Sequence, residues 1–268
     1  MRLPTILFAT ALCTLPVTPV FPQLPGVQSC HGSPGGATIN FSPRTMRPVT
    51  GAPYSAVRSD QSVQTLADGT HLTRHGREET ATWRDSNGRV RTETRVMPER
   101  ASCDSIPVEI EDPVAGYIYL LDPVDQVAYR LPFATPSAPP AERTAAAQKP
   151  APQPAQTSSD EPALKTESLG EKTMFGITVT GTRTTDTYPV GSRLGNDRPV
   201  TTTFEAWFSP QLKVQVYSQN TNYDGSVSTT TLKDLSVAEP DPSLLQVPPG
   251  YKIVDETGPF TITIPAHN

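Results

Sequence analysis

Two histidines have the residue type and spacing of a metal site. His71 and His75 lie four residues apart, which places both on the same face of a helix or of a strand. The segment between them lacks the glutamate of a zinc-protease motif, and no third ligand is evident in the sequence. We therefore favour a solvated strand face, and we expect no metal site and no cofactor.

Acidic residues form a second group that could carry chemistry. Glu109, Glu111 and Asp112 lie close in sequence to Asp104. A pair of carboxylates can act as general acid and base when their separation suits the substrate. Acidic residues beside a turn more commonly keep that turn in water, and this is the favoured interpretation.

Ser192 is the candidate nucleophile. It lies between two glycines in residues 191–195, but one place too early for a nucleophile elbow and without a strand-to-helix context. This segment is interpreted as a turn. The sequence also contains no phosphate-binding or dinucleotide-binding loop. We therefore predict that the protein is not an enzyme.

Charge excludes one class of partner. Charged residues make up 18% of the chain and the net charge is −5, so the basic face expected of a nucleic-acid-binding protein is missing. Seven arginines between Arg74 and Arg100 alternate with five acidic residues. Such a surface could bind an anionic lipid or polysaccharide, but the alternation favours an ion-paired, solvated sheet face.

The N-terminal residues have the pattern of an export signal. Met1 and Arg2 precede an apolar run at residues 3–15, which suits a signal sequence and is too short to span a bilayer. We predict a signal peptide at residues 1–29, with an uncertain cleavage site, and a periplasmic or extracellular protein. A disordered cytoplasmic tail and lipidation at Cys13 are the alternatives. Removal of the signal leaves Cys30 and Cys103, which could pair as a disulfide in an oxidising compartment.

Strands must position these residues, because runs of Thr, Val and Ser with few helix formers dominate the chain. Asp-Gly pairs at residues 68–69 and 224–225 predict hairpin turns. The charges of residues 89–96 all fall on one face of a strand, which indicates a sheet with one solvated side. Residues 117–121 are apolar at every position, so both faces of that strand should be covered. The predicted strands are 54–66, 70–77, 78–84, 89–96, 108–110, 116–121, 127–131, 175–183, 200–208, 212–218 and 226–237.

Proline marks the domain organisation. The chain has 30 prolines in 268 residues, about twice the usual share of roughly 5%. Residues 134–163 hold seven prolines and nine alanines without an apolar period, which predicts a disordered linker. A flexible lead-in, residues 30–52, precedes the first part of a β-sheet domain, residues 53–133, and residues 164–268 form its second part. We expect both parts to share one sheet, because neither alone has enough alternating strands to cover its apolar face.

The closing segment, residues 205–251, is similar to that of the periplasmic lipoprotein-carrier superfamily (LolA-like). The matching features are Trp207, the Ser-Pro turn at 209–210, the Asp-Gly turn at 224–225, Leu232 and Leu235, and the tail at 245–251. The tail has Leu245 where an aromatic residue is common. Residues 83–89 and 112–117 also look like segments of uncharacterised secreted bacterial proteins. The tail is interpreted as a structural lock on the sheet.

This resemblance implies the fold and a kind of ligand. The fold class is mainly β, a curved antiparallel sheet in the form of an incomplete barrel, with few short helices and an apolar concave side. Members of the superfamily bind acyl chains or act as sensor domains. The long Pro/Ala-rich insertion and the scarcity of helical segments depart from the carrier pattern.

Five residues are the candidate ligand contacts: Tyr117, Tyr119, Leu121, Trp207 and Phe208. A buried tyrosine hydroxyl needs a partner or water, which would place Tyr117 and Tyr119 at the edge of a cavity. Ordinary core aromatics are the alternative interpretation of these two residues.

Three functions remain open from the sequence. A binding or carrier module would hold a lipid or another hydrophobic ligand on the concave face. A structural or sensory module would contact another protein of the cell envelope. A hydrolase would require a polar cluster in a cleft, and no such cluster is evident in the sequence.

Overall fold

The computed structural model describes residues 37–96, 108–134 and 161–264. The predicted signal peptide, the predicted Cys30–Cys103 disulfide and residues 135–160 of the predicted linker lie outside the described residues. Within the described ranges the protein is mostly β, an open curved sheet that does not close into a barrel, and this confirms the predicted fold class.

The elements are fourteen strands and one short 3-10 helix, Pro242–Leu245, within the described ranges. The strands are β1 Ala37–Phe41, β2 Tyr54–Thr65, β3 His71–Arg84, β4 Val90–Val96, β5 Val108–Asp112, β6 Tyr117–Asp122, β7 Val127–Pro132, β8 Ala163–Met174, β9 Ile177–Tyr188, β10 Val200–Ser209, β11 Val214–Thr221, β12 Val227–Ser236, β13 Lys252–Asp255 and β14 Phe260–Ile264.

Twelve of these strands form one sheet. Its order is β13-β7-β6-β5-β4-β3-β2-β12-β11-β10-β9-β8, while β1 and β14 pair as a separate ribbon. Strands β2 to β7 follow one another as a meander, strands β8 to β12 form a second meander, and the β2–β12 ladder joins the two. Both parts of the chain therefore contribute to a single sheet. The pairing is antiparallel except between β13 and β7, which are parallel.

Glycines with positive φ form the hairpin turns that the sequence predicts. Gly69 between β2 and β3 has φ 84°, and Gly225 between β11 and β12 has φ 78°. Residues with a Cβ rarely adopt this conformation, whereas glycine adopts it freely. The Asp-Gly pairs thus set where the strands reverse.

Strands β1, β8, β13 and β14 are absent from the predicted strands, and the two strands predicted at residues 70–77 and 78–84 form the single strand β3. Strand β1 lies within the segment interpreted as a flexible lead-in, where it pairs with β14 from Ala37↔Ile264 to Phe41↔Phe260. Strand β8 was predicted only as a leader to the next strand. This strand forms the edge of the sheet, and most of its residues are exposed. Its sequence therefore lacks the alternation of apolar and polar residues that would have indicated a strand.

Both faces of β6 are covered, as its continuous apolar pattern predicts. On one face, Ile118, Leu120 and Leu131 pack with Phe41 and Ile262 of the β1–β14 ribbon. The opposite face packs against residues of the closing tail, in a cluster formed by Ile110, Leu121, Ala128, Val247 and Tyr251. The 3-10 helix lies against β4, where Arg91 Nη1 donates to the Leu244 carbonyl at 3.0 Å. The tail therefore secures the sheet, as predicted.

The other main cluster lies toward the second meander. Tyr54, Ala56, Ile177, Val179, Trp207, Leu212, Val216 and Leu232 form this cluster. Buried Arg84 donates to the carbonyls of Ala52 and Leu212 and lies over the Tyr54 ring, 4.6 Å from its centroid. Burial lowers the pKa of Arg84. Arg84 thus ties the end of β3 to the β10–β11 hairpin.

Candidate functional site

A cavity of about 370 Å³ lies beside strands β9, β10 and β11. Its apolar lining consists of Tyr188, Leu194, Phe204 and Tyr223. Its polar lining consists of Asp186, Thr202, Thr203, Asn220 and Asn222. The volume is in the range of small-molecule binding sites, and a mixture of apolar surface with a few polar groups is typical of such sites.

The strand register explains why part of this lining converges. Thr202 of β10 is paired with Asp186 of β9, and Phe204 is paired with Asn220 of β11. Directly paired residues point to the same face of an antiparallel sheet, and so do residues two apart on one strand. Asp186, Thr202, Phe204 and Asn220 therefore share one face.

The loop between β9 and β10 supplies the first wall. Asn196 Nδ2 donates to the carbonyls of Pro189 and Arg198, at 2.7 Å in each case, and Ser192 Oγ donates to Asn196 Oδ1 at 2.6 Å. The Leu194 amide in turn donates to Ser192 Oγ at 3.3 Å. These bonds fix the loop and place Leu194 at the cavity.

The turn between β11 and β12 supplies the second wall. The Asn222 amide donates to the Ser226 carbonyl at 2.8 Å, and Ser226 Oγ donates to Asp224 Oδ1 at 2.6 Å. Asn222 Nδ2 also donates to Ser226 Oγ at 2.9 Å. The turn holds Tyr223 at the cavity with 59% of its surface exposed, and Phe204 is 45% exposed.

The cavity carries an unneutralised negative charge. Among the residues that the structure describes, the Asp186 carboxylate has no hydrogen bond or ion pair. None of the lining residues is a lysine or an arginine. The arrangement can therefore bury apolar ligand surface while presenting one carboxylate to the ligand.

Three of the sequence-predicted ligand residues lie together on β6. Tyr117, Tyr119 and Leu121 share one face, and the rings of Tyr117 and Tyr119 are 6.3 Å apart between centroids. Arg130 lies over the Tyr117 ring at 4.7 Å. Leu121 is only 1% exposed, because it packs in the cluster beneath the closing tail.

The other two predicted ligand residues lie on β10. The ring of Trp207 is buried against Gly181, Lys172 Nζ lies 3.4 Å from its centroid, and its Nε1 donates to Glu205 Oε1 at 2.7 Å. Phe208 is exposed at 43%. Trp207 belongs to a different cluster from Leu121, so the structure does not bring the five residues to one place.

The residues considered as metal ligands or as catalytic acids and bases make other contacts in the structure. His71 and His75 are exposed on β3, and His71 Nδ1 lies 3.1 Å from the Thr65 hydroxyl. Glu109 and Glu111 both bind Arg44. Burial raises the pKa of Glu109, and Arg44 opposes this effect only in part. In the described part of the chain, no group of three or more His, Cys, Asp or Glu side chains could hold a metal ion.

The sequence did not single out the cavity residues Tyr188, Leu194, Phe204 and Tyr223. One signal was present: Tyr223 interrupts an otherwise polar hairpin turn, Asn222 to Ser226, where no core can cover it. Binding residues lie disproportionately on loops and turns, so an aromatic residue in such a turn is a candidate ligand contact.

Comparisons with solved structures find several proteins, one of them a LolA superfamily protein. A LolA superfamily protein from Nitrosomonas europaea is 7% identical with a TM-score of 0.26, covering 74% of this chain and 92% of its own. The Mycobacterium tuberculosis lipoprotein LppX is 12% identical with a TM-score of 0.24, covering 70% and 91%. LprF from Mycobacterium bovis is 12% identical with a TM-score of 0.25, covering 72% and 90%.

The solved structures found include a LolA superfamily protein, the group that the closing segment of this chain resembles in sequence. Their TM-scores lie well below 0.5, and the cavity is defined by the residues of this chain alone. No family model matches the chain. No curated protein matches it either. No helix among the described residues is long and apolar enough to cross a membrane.

Proposed function

We propose that the protein is a non-catalytic binding module that holds a lipid or another amphipathic ligand in the cavity beside β9 to β11. The observation that carries this proposal is the exposure of apolar side chains around that cavity. Phe204, Tyr223 and Leu194 are all exposed where two fixed turns meet the sheet. Exposed apolar side chains that cluster at a concavity are typical of a ligand site.

Burial of these side chains supplies the affinity. Covering one large apolar side chain is worth about 1.5 to 3 kcal/mol, so two aromatic rings contribute about 3 to 6 kcal/mol. This range corresponds to a Kd between several millimolar and some tens of micromolar, and burial of further lining residues would lower it. The walls are already held by hydrogen bonds within each turn, which reduces the ordering that binding requires.

Export of the module is part of the proposal. The apolar run at residues 3–15 after Arg2 supports a cleaved signal and a location in the cell envelope. Cell fractionation, with N-terminal sequencing of the mature protein, tests this location. Recovery of an uncleaved protein in the cytosol would contradict it.

Fluorescence titration with N-phenyl-1-naphthylamine tests the ligand site. This probe is neutral and becomes fluorescent in apolar surroundings. We expect saturable binding by the full-length protein, and an increase of about tenfold or more in Kd for Phe204→Ser or Tyr223→Ser, because each removes an aromatic ring from the lining.

Phe208→Ser is the matched control. Phe208 lies on the same strand as Phe204 and is equally exposed, at 43% against 45%, but does not line the cavity. It should leave Kd unchanged. Ligand contact by Tyr117, Tyr119, Leu121, Trp207 and Phe208 stays a prediction, and a loss confined to Phe208→Ser would place the ligand there instead. Absence of saturable probe binding would remove the binding proposal.

A further inference from the structure

The cavity contains one charged group, and this group has no partner of its own. Asp186 is half-buried on β9, and within the described residues its carboxylate makes no hydrogen bond or ion pair. A carboxylate in a partly enclosed site loses water contacts when a ligand enters, so it gains most from a ligand of opposite charge. An anionic head group would meet uncompensated repulsion there.

The neighbouring amides do not reverse this preference. Asn220 Nδ2 donates to Asn222 Oδ1 at 3.4 Å, and Asn222 Nδ2 donates to Ser226 Oγ at 2.9 Å. One hydrogen of each amide is therefore used within the protein. With no lysine or arginine in the lining, the cavity has no positive group to hold a phosphate or a carboxylate.

Aromatic rings add to the same preference. Tyr188, Phe204 and Tyr223 line the cavity together with Asp186. The face of an aromatic ring carries negative partial charge and attracts an ammonium group, most strongly when water is excluded. A carboxylate combined with aromatic rings is therefore suited to an amine.

We propose that the ligand of this cavity is a cationic amphiphile, whose ammonium group binds at Asp186 and whose apolar part covers Phe204 and Tyr223. This inference rests on the proposed binding function and names the chemical class of the ligand. It assigns Asp186 as the residue that selects the ligand by charge.

Three competing ligands with the same ten-carbon tail and different head groups test this inference. Decyltrimethylammonium, decyl maltoside and decyl sulfate, each below its micelle concentration, compete with N-phenyl-1-naphthylamine for the full-length protein. We expect decyltrimethylammonium to displace the probe best and decyl sulfate worst. Asp186→Asn should weaken decyltrimethylammonium by about fivefold or more, because this head group has no N–H and is held at the carboxylate by charge attraction. Decyl maltoside should stay within about twofold.

Asp197→Asn is the control for general charge attraction. Asp197 lies on the loop of the first wall, is exposed and does not line the cavity, so this variant changes the net charge equally. It should leave all three affinities unchanged. Thermal unfolding of each variant checks that it is folded.

The outcomes separate the two proposals. If the neutral probe binds, but decyl maltoside or decyl sulfate competes as well as the ammonium compound, the cationic ligand is wrong while the binding function stands. An equal effect of Asp186→Asn and Asp197→Asn would also overturn the cationic ligand. If the neutral probe does not bind at all, both proposals fail.

Discussion

The two ends of the twelve-stranded sheet are built differently. Toward the end that finishes with β13, both faces of β6 are covered, and Ile118 and Leu121 are at most 1% exposed. Toward the end that finishes with β8, one face of β10 carries Trp207 in a packed cluster, while Phe204 and Tyr223 are open to solvent. The same antiparallel pairing thus supports a closed core at one end and an open cavity at the other.

This difference indicates that the covered strands contribute most to stability and that the open cavity is the region suited to binding. Covered strands bury apolar area on both faces, so they contribute most to the free energy of unfolding. Ligand sites require surface that the protein leaves uncovered, and they are commonly found in less stable parts of a structure. Substitutions at the two ends should therefore affect different measurements.

The largest effect is expected at the closing tail. Leu245 is 1% exposed, and its replacement by alanine leaves a cavity where the tail meets the sheet. Leu245→Ala should lower the free energy of unfolding by about 2 to 5 kcal/mol, measured by denaturant unfolding. Val190→Ala, in the exposed loop beside the open cavity, should change it by less than about 0.5 kcal/mol. If both variants lost the same free energy of unfolding, the closing tail would contribute no more to stability than the loop beside the cavity.

A smaller effect is expected where the open end has its own packed face. A Cβ at Gly181 would lie 2.6 Å from ring atoms of Trp207, closer than real contacts allow. Gly181→Ala should therefore cost about 1 to 3 kcal/mol of stability through overpacking.

A double-mutant cycle with Trp207→Leu shows whether the ring is the cause. With the ring removed, Gly181→Ala should cost much less, because the clash is relieved. The same cost in both backgrounds would show that the packed face at this end does not depend on the contact between Trp207 and Gly181.

The smallest effect is expected at the exposed edge beside β7. Arg130 Nε and Nη2 donate to Asp255 at 2.6 and 2.9 Å, which ties β13 to β7 and lowers the pKa of Asp255. The folded pKa lies below the unfolded one, so this stabilisation is present above the unfolded pKa and is lost as pH falls through the folded pKa. Asp255→Asn should lower the melting temperature slightly near neutral pH, by less than Gly181→Ala, since exposed pairs contribute little.

The pH dependence of the melting temperature tests this ion pair. The difference between Asp255→Asn and the parent protein should begin to shrink as the pH falls below about 4, the ordinary pKa of an aspartate in an unfolded chain. It should disappear once the pH is below the lowered pKa of folded Asp255. A difference that persists unchanged at low pH would mean that the side chain acts by packing instead of by charge.

Local patterns predicted the covered end of the sheet well. The five apolar residues from Tyr117 to Leu121 indicated a strand covered on both faces, and the clusters around Ile118 and Leu121 confirm it. The Asp-Gly turns likewise predicted two hairpins correctly. These features depend on neighbouring residues, which the sequence displays directly.

Features that depend on distant pairing were missed. Strand β1 exists because it pairs with β14, more than 200 residues later, and its own sequence gives little sign of this. The cavity also joins separate segments, since Leu194 and Tyr223 come from two turns that only the sheet order brings together. Sequence reasoning identified both turns but could not show that they meet.

The ribbon of β1 and β14 has a mechanical consequence. Ala37 pairs with Ile264 at one end of the ladder, and Phe41 pairs with Phe260 at the other. Tension applied through the residues before Ala37 and after Ile264 would pull the two strands apart from the same end. Hydrogen bonds perpendicular to the strands would then break one after another, at low force, instead of resisting together. Under such tension the ribbon would open first, and Phe41 and Ile262 would separate from β6 before the twelve-stranded sheet unfolds.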